Sequence, residues 1–118
     1  MGGNVAEVTM DTSGVMPHRM IKRGSEVIDD YAFCEVAHMT KAYAQGALRR
    51  GATAVTVFPY TGWDSIGPFL DAGLKVYVYK LPIIPAVQWR HLWQRWQQMA
   101  RRKYGTGRLL LWPRGGTP

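Results

Sequence analysis

Between Trp89 and Lys103 the chain carries four arginines, one lysine and three glutamines with no acid among them. A planar guanidinium forks onto phosphate or carboxylate and stacks on rings, which an ammonium does less well. Glutamine adds neutral donors and acceptors that can meet phosphate, sugar or base edges. At about 100° per residue, Trp89, Leu92, Trp93, Trp96, Met99 and Ala100 fall in one apolar sector. Arg90, His91, Gln94, Arg95, Gln97, Gln98, Arg101 and Arg102 fill the rest. The pattern predicts a helix whose indoles pack inward while its guanidinium side faces solvent. An ordinary solvated helix mixes both signs for solubility and i,i+4 pairing, and this one does not. The candidate macromolecule-binding residues are therefore Arg90, Gln94, Arg95, Gln98, Arg101, Arg102, Lys103 and Arg108.

A second candidate is the loop Pro59-Tyr60-Thr61-Gly62-Trp63-Asp64-Ser65, placed after an apolar run and before a helix. Loops at the carboxyl ends of parallel strands are where ligands bind in α/β sheets, and a helix N-terminus there offers free N–H groups. Tyr60, Thr61, Gly62, Trp63, Asp64 and Ser65 form a possible ligand loop, with Tyr60 and Trp63 able to sandwich a flat group. Neither GxGxxG nor GxxxxGK[ST] is present, so no nucleotide fingerprint supports it.

The histidines give less. His18, His38 and His91 form no HxxxH or HExxH pattern, and with one cysteine no multi-cysteine zinc site exists, so no metal and no cofactor is expected. Glu35 and His38 stand three apart, as an acid/base pair would, and Cys34 lies one helical turn from His38, as a Cys–His nucleophile would. The first reads more simply as a pairing that satisfies a half-buried imidazole, and Cys34 as an inert core position in the apolar stripe of one helix.

These residues need elements to hold them. The spacing predicts a strand over Val5 to Met10 and a basic loop over Val15 to Gly24, which adds Arg19, Lys22 and Arg23. It then predicts a long helix from Ser25 to about Arg50, with a serine cap, early acids, terminal arginines and Gly51 as its stop. Ala52 to Phe58 reads as a strand apolar on both faces, Asp64 or Ser65 as the cap of a helix ending at Ala72, and Lys75 to Lys80 as a strand. A third helix spans Ala86 to Tyr104, and Arg108 to Trp112 forms a last strand before a frayed tail that includes a single Arg114-Gly115-Gly116. The expected fold is a single α/β domain over residues 1–118: a small layered sandwich of about four strands and three helices, with an at least partly parallel sheet. Residues 1–24 supply a strand and basic loop, 25–80 the α/β core, and 81–118 the basic, tryptophan-rich helix, last strand and tail.

Charge sharpens the expectation. Residues 1–80 hold all eight acids and eight of the fifteen bases, whereas residues 81–118 hold seven bases, no acid and hence the whole net charge of +7. A segregated field of one sign attracts polyanions and speeds their encounter. No apolar run approaches the length of a membrane span. The N-terminus has neither the build of a signal peptide nor, with Ala6 where Ser or Thr is wanted, that of a myristoylation site. A cytoplasmic protein is expected.

Together these features imply a non-enzymatic binding protein whose basic C-terminal helix docks on nucleic acid. The partner could instead be an acidic protein surface of a nucleic-acid-handling complex, with the chain as inhibitor or adaptor. A small Rossmann-like domain using the 60–65 loop for a nucleotide-type ligand is one alternative. A homo-oligomeric or partner-interaction subunit using exposed aromatics is another.

Overall fold

β-Branched and aromatic runs supply most of the strands, and the computed structural model, which describes residues 4–10, 17–31 and 40–113, joins six of them into one sheet. The strands are β1 (Asn4–Met10), β2 (Pro17–Arg23), β3 (Glu26–Asp30), β4 (Ala54–Val57), β5 (Lys75–Val78) and β6 (Leu109–Leu111). The helices are α1 (Thr40–Arg49), α2 (Gly67–Asp71) and α3 (Ala86–Tyr104), with a single 3₁₀ turn over Gly62–Ser65. Strand order in the sheet follows the chain, β1 to β6. The first three strands form an antiparallel meander, and β3 to β6 run parallel. This is a single α/β domain with a mixed, mostly parallel sheet.

The expected helix from Ser25 to Arg50 is borne out in its last part and overturned in its first. Its first part is strand β3, and α1 is described over Thr40–Arg49. The basic loop is in fact strand β2. Arg23 pairs with Glu26 across the two-residue turn Gly24-Ser25, with Gly24 at φ +63°, and glycine tolerates that conformation freely in a tight hairpin. Ser25 is therefore a turn residue and caps no helix. Asp29 and Asp30 are wholly buried strand residues rather than acids at a helix start. Residues 32–39, with Cys34, Glu35 and His38, lie outside the described residues, as do 1–3, 11–16 and the tail 114–118.

Elsewhere the elements fall close to their predicted places. Ala54–Val57 is buried at every position, as a strand covered on both sides must be. α2 carries Pro68 in its first turn, where a missing N–H costs nothing. Neither Asp64 nor Ser65 caps it: position N-cap is Ile66, with no side-chain cap bond.

Sequential strand order combined with crossovers of one hand places α1, α2 and α3 on the same side of the sheet. There Ala44 and Ala47 of α1, Phe69 and Leu70 of α2, and Trp89, Trp96 and Ala100 of α3 pack on Tyr31, Val55, Val57, Val76, Val78 and Leu109. Among the described residues no helix packs on the other face. A smaller core of Ile21, Ile28, Ala54, Tyr77 and Trp112 fills it. The Arg23 guanidinium of β2 sits 5.1 Å from the Trp112 ring just beyond β6. Four strand spacings of about 4.8 Å separate those strands on a flat sheet, so the sheet curls around this second core. Lys75 closes it further by pairing with Glu26 at 2.8 Å, and the Tyr77 hydroxyl donates to the same carboxylate at 2.6 Å.

Candidate functional site

α3 is held by three residues. Trp89, Trp96 and Ala100 are 5%, 5% and 2% exposed, and the Trp89 and Trp96 rings meet edge to face at 5.8 Å. The Gln97 amide adds a polar pin, donating from Nε2 to the Leu109 carbonyl of β6 at 2.6 Å. Arg101, Arg102 and Lys103 crowd the last turn, where cations complement the helix dipole. Gly105 at φ +95° ends the helix. The buried sector is narrower than the sequence implied: Met99 is exposed, and Leu92 and Trp93 are only half-buried.

The polar side presents Arg90, Gln94, Arg95, Gln98, Arg101 and Arg102 to solvent. None of these four arginines has a carboxylate partner among the described residues. They form two flanks. By the helical period of about 100°, Arg90 and Arg101 share one side with Gln94, while Arg95 and Arg102 share the other with His91. Beside the first flank lies an open recess of about 610 Å³ lined by Trp93, Gln94, Gln97, Gln98 and Arg101.

Two predicted binding residues are engaged within the protein. Lys103 pairs with Asp71 at 3.5 Å, both largely exposed, and the Tyr104 hydroxyl donates to the same Asp71 oxygen. That bond and Lys103 together hold the Asp71 carboxyl below its usual range. Arg108 donates to the Leu70 and Leu74 carbonyls at 3.4 and 3.0 Å, tying the end of α2 to β6.

The remaining bases follow a different rule. Arg19 grips the buried Asp30 carboxylate through Nε at 2.9 Å and Nη2 at 2.6 Å, while the Thr56 hydroxyl donates to its other oxygen at 2.5 Å. On the opposite face, Arg50 reaches the buried Asp29 through Nε and Nη2, each at 2.8 Å. The Arg50 guanidinium also donates to the Tyr31 hydroxyl, which lies within 3.1 Å of Asp29 Oδ2 and 3.0 Å of the Tyr43 carbonyl. Burial, and next to it the Asp29 charge, push the Tyr31 phenol far above its ordinary value. Gly46 makes room for this arrangement, since a Cβ there would stand 3.0 Å from Arg50 Nη2. Sequence reasoning missed these two acid–arginine pairs. The signal was Arg23-Gly24-Ser25-Glu26, a two-residue hairpin turn that would have put Asp29 and Asp30 in a strand. Arg19 and Arg23 belong to the sheet face opposite α3, so they do not extend its basic surface.

The 60–65 loop closes on itself. The Thr61 and Ser65 hydroxyls meet at 2.5 Å, and Thr61 N–H donates to Ser65 Oγ. Trp63 lies across Gly67, where a Cβ would come 2.7 Å from Nε1. Tyr60 is 59% exposed and leans on Phe58 at 5.7 Å, and Asp64 faces solvent. Among the described residues no group of three or more His, Cys, Asp or Glu gathers as a metal site would, and no helix is long and apolar enough to cross a membrane. No protein-family model, curated protein or solved structure matches this chain.

Proposed function

We propose that this is a binding protein that docks the polar side of α3 on a polyanion, with nucleic acid as the partner. A single observation supports the reading. Arg90, Arg95, Arg101 and Arg102 stand exposed on a helix anchored by Trp89 and Trp96, with no carboxylate beside them among the described residues. Four unscreened guanidiniums fit the phosphate geometry that arginine grips in a fork. Gln94 on the first flank and Gln98 between the two supply neutral donors and acceptors for sugar or base edges. A role as inhibitor or adaptor on a nucleic-acid-handling complex uses the same surface, and the cytoplasm is the compartment this reading assigns.

Titration of labelled single- and double-stranded oligonucleotides at two salt concentrations tests it. Neutralising four phosphates gives log K a slope against log salt on the order of −3 to −4. The double variant Arg95→Glu/Arg102→Glu, folded by circular dichroism, loses that binding. Binding unchanged by the two reversals overturns the proposal, and a wild type that binds neither form at low salt moves it to an acidic protein surface.

A further inference from the structure

Resting on that reading, we infer that the recess beside α3 receives an unpaired base of single-stranded nucleic acid, stacked on Trp93. Trp93 is half-buried and lines the recess, and its ring lies at 6.1 Å and 13° from Trp89. Trp93 thus runs nearly parallel to one neighbouring indole and itself lines the recess. A third planar group entering there extends an existing stack, and every base has a π-face to offer. The recess walls are chemically suited to it: Gln94 and Gln98 present exposed carboxamides, each both donor and acceptor, within reach of a base edge.

The backbone of such a strand also has its contacts. Arg90 and Arg101 lie on the flank that holds the recess and bracket it, roughly 16 Å apart along the axis at 1.5 Å per residue. A strand laid along this flank meets a guanidinium at either end and the indole between them. A duplex cannot use the indole, because its bases are already stacked and paired; splayed single strands can.

The experiment compares three oligonucleotides of equal length at one salt concentration: a single strand with all its bases, the same strand with abasic sites, and a duplex. Wild-type protein binds the abasic strand about tenfold more weakly than the intact one. Trp93→Ala loses about tenfold for the intact strand and no longer distinguishes the two, while Trp93→Phe keeps the distinction. Equal wild-type affinity for intact and abasic strands, or tighter binding of the duplex, overturns the inference, and this comparison does not depend on any variant folding. Arg95→Glu/Arg102→Glu, on the flank away from the recess, separates the two levels. If it abolishes binding while base content is immaterial, the polyanion reading stands and only stacking falls. If it changes nothing and base content is immaterial as well, both fall.

Discussion

Arginine has two occupations in this chain, divided by position. Arg19 and Arg50, among the first 50 residues, are counterions for wholly buried aspartates on opposite faces of β3. Arg90, Arg95, Arg101 and Arg102 on α3 are exposed and answer no carboxylate among the described residues. The difference shows that net charge by itself locates nothing. Eight bases in residues 1–80 are matched by eight acids, and the interior consumes pairs of them as structure. What remains for a partner is the surplus, and α3 carries most of it.

Stability measurements break or sharpen this contrast. The largest effect belongs to Arg50→Ala, which leaves the Asp29 carboxylate buried without its guanidinium. Loss of one member of such a pair costs about 3–5 kcal/mol, read as a lower midpoint in urea unfolding. Retained stability would show that Arg50 is no more structural than the α3 arginines. Next comes Gly67→Ala, whose methyl would press on Trp63 Nε1; overpacking of this kind costs about 1–3 kcal/mol. A neutral result would release Trp63 from packing and return it to the pool of ligand-facing rings.

A smaller effect is expected at alkaline pH. Burial, and after it the hydrogen bond to Glu26, raise the Tyr77 phenol to about 12. The fold thus favours the neutral phenol. That stability is whole below the unfolded value near pH 10 and is lost as pH climbs from there towards 12. Tyr77→Phe flattens this part of the alkaline unfolding curve, followed by circular dichroism against pH. The smallest effect on stability is that of Arg95→Glu/Arg102→Glu, under about 1 kcal/mol, from the charge reversed at the end of the α3 dipole. The same variant loses the salt-dependent nucleic-acid binding of the wild type. A pair of substitutions that barely moves the melt and removes the affinity is the converse of Arg50→Ala.

Much of the fold was legible because the signals were local. α3 was bounded correctly at both ends, since Pro85 precedes it and Gly105 follows it, with the indoles at helical spacing between. Ala54–Val57 and Lys75–Val78 announced themselves by β-branched and aromatic content. What failed was the start of that helix at Ser25, where β3 stands, while its end at Arg49 before Gly51 was read correctly, and the reason is physical. Val27, Ile28 and Tyr31 satisfy a helical stripe as well as a strand, and acids near a serine imitate a helix start. Distant partners, Arg19, Thr56 and Arg50 among them, make two adjacent aspartates tolerable inside a strand. Distant pairing leaves no mark in the local pattern. The same limit explains Lys103 and Arg108. Both were rightly seen as basic, but the local charge pattern gives no hint that Asp71 and the carbonyls ending α2 engage them. The exposure of Arg90, Arg95, Arg101 and Arg102, by contrast, follows from the helical period alone.

In the sheet each strand lies beside the one that precedes it along the chain. Its assembly therefore requires no excursion past a strand still to come: each hairpin or crossover closes on a neighbour already in place. The β1–β2–β3 hairpins close locally, whereas the parallel crossovers that pair Ile28 with Ala54 and Val76 with Leu109 close longer loops and carry the larger entropic penalty. β6 closes one edge of the sheet, and the Gln97 bond to its Leu109 carbonyl pins α3 there, so the surface offered to a partner depends on the sheet's outermost strand.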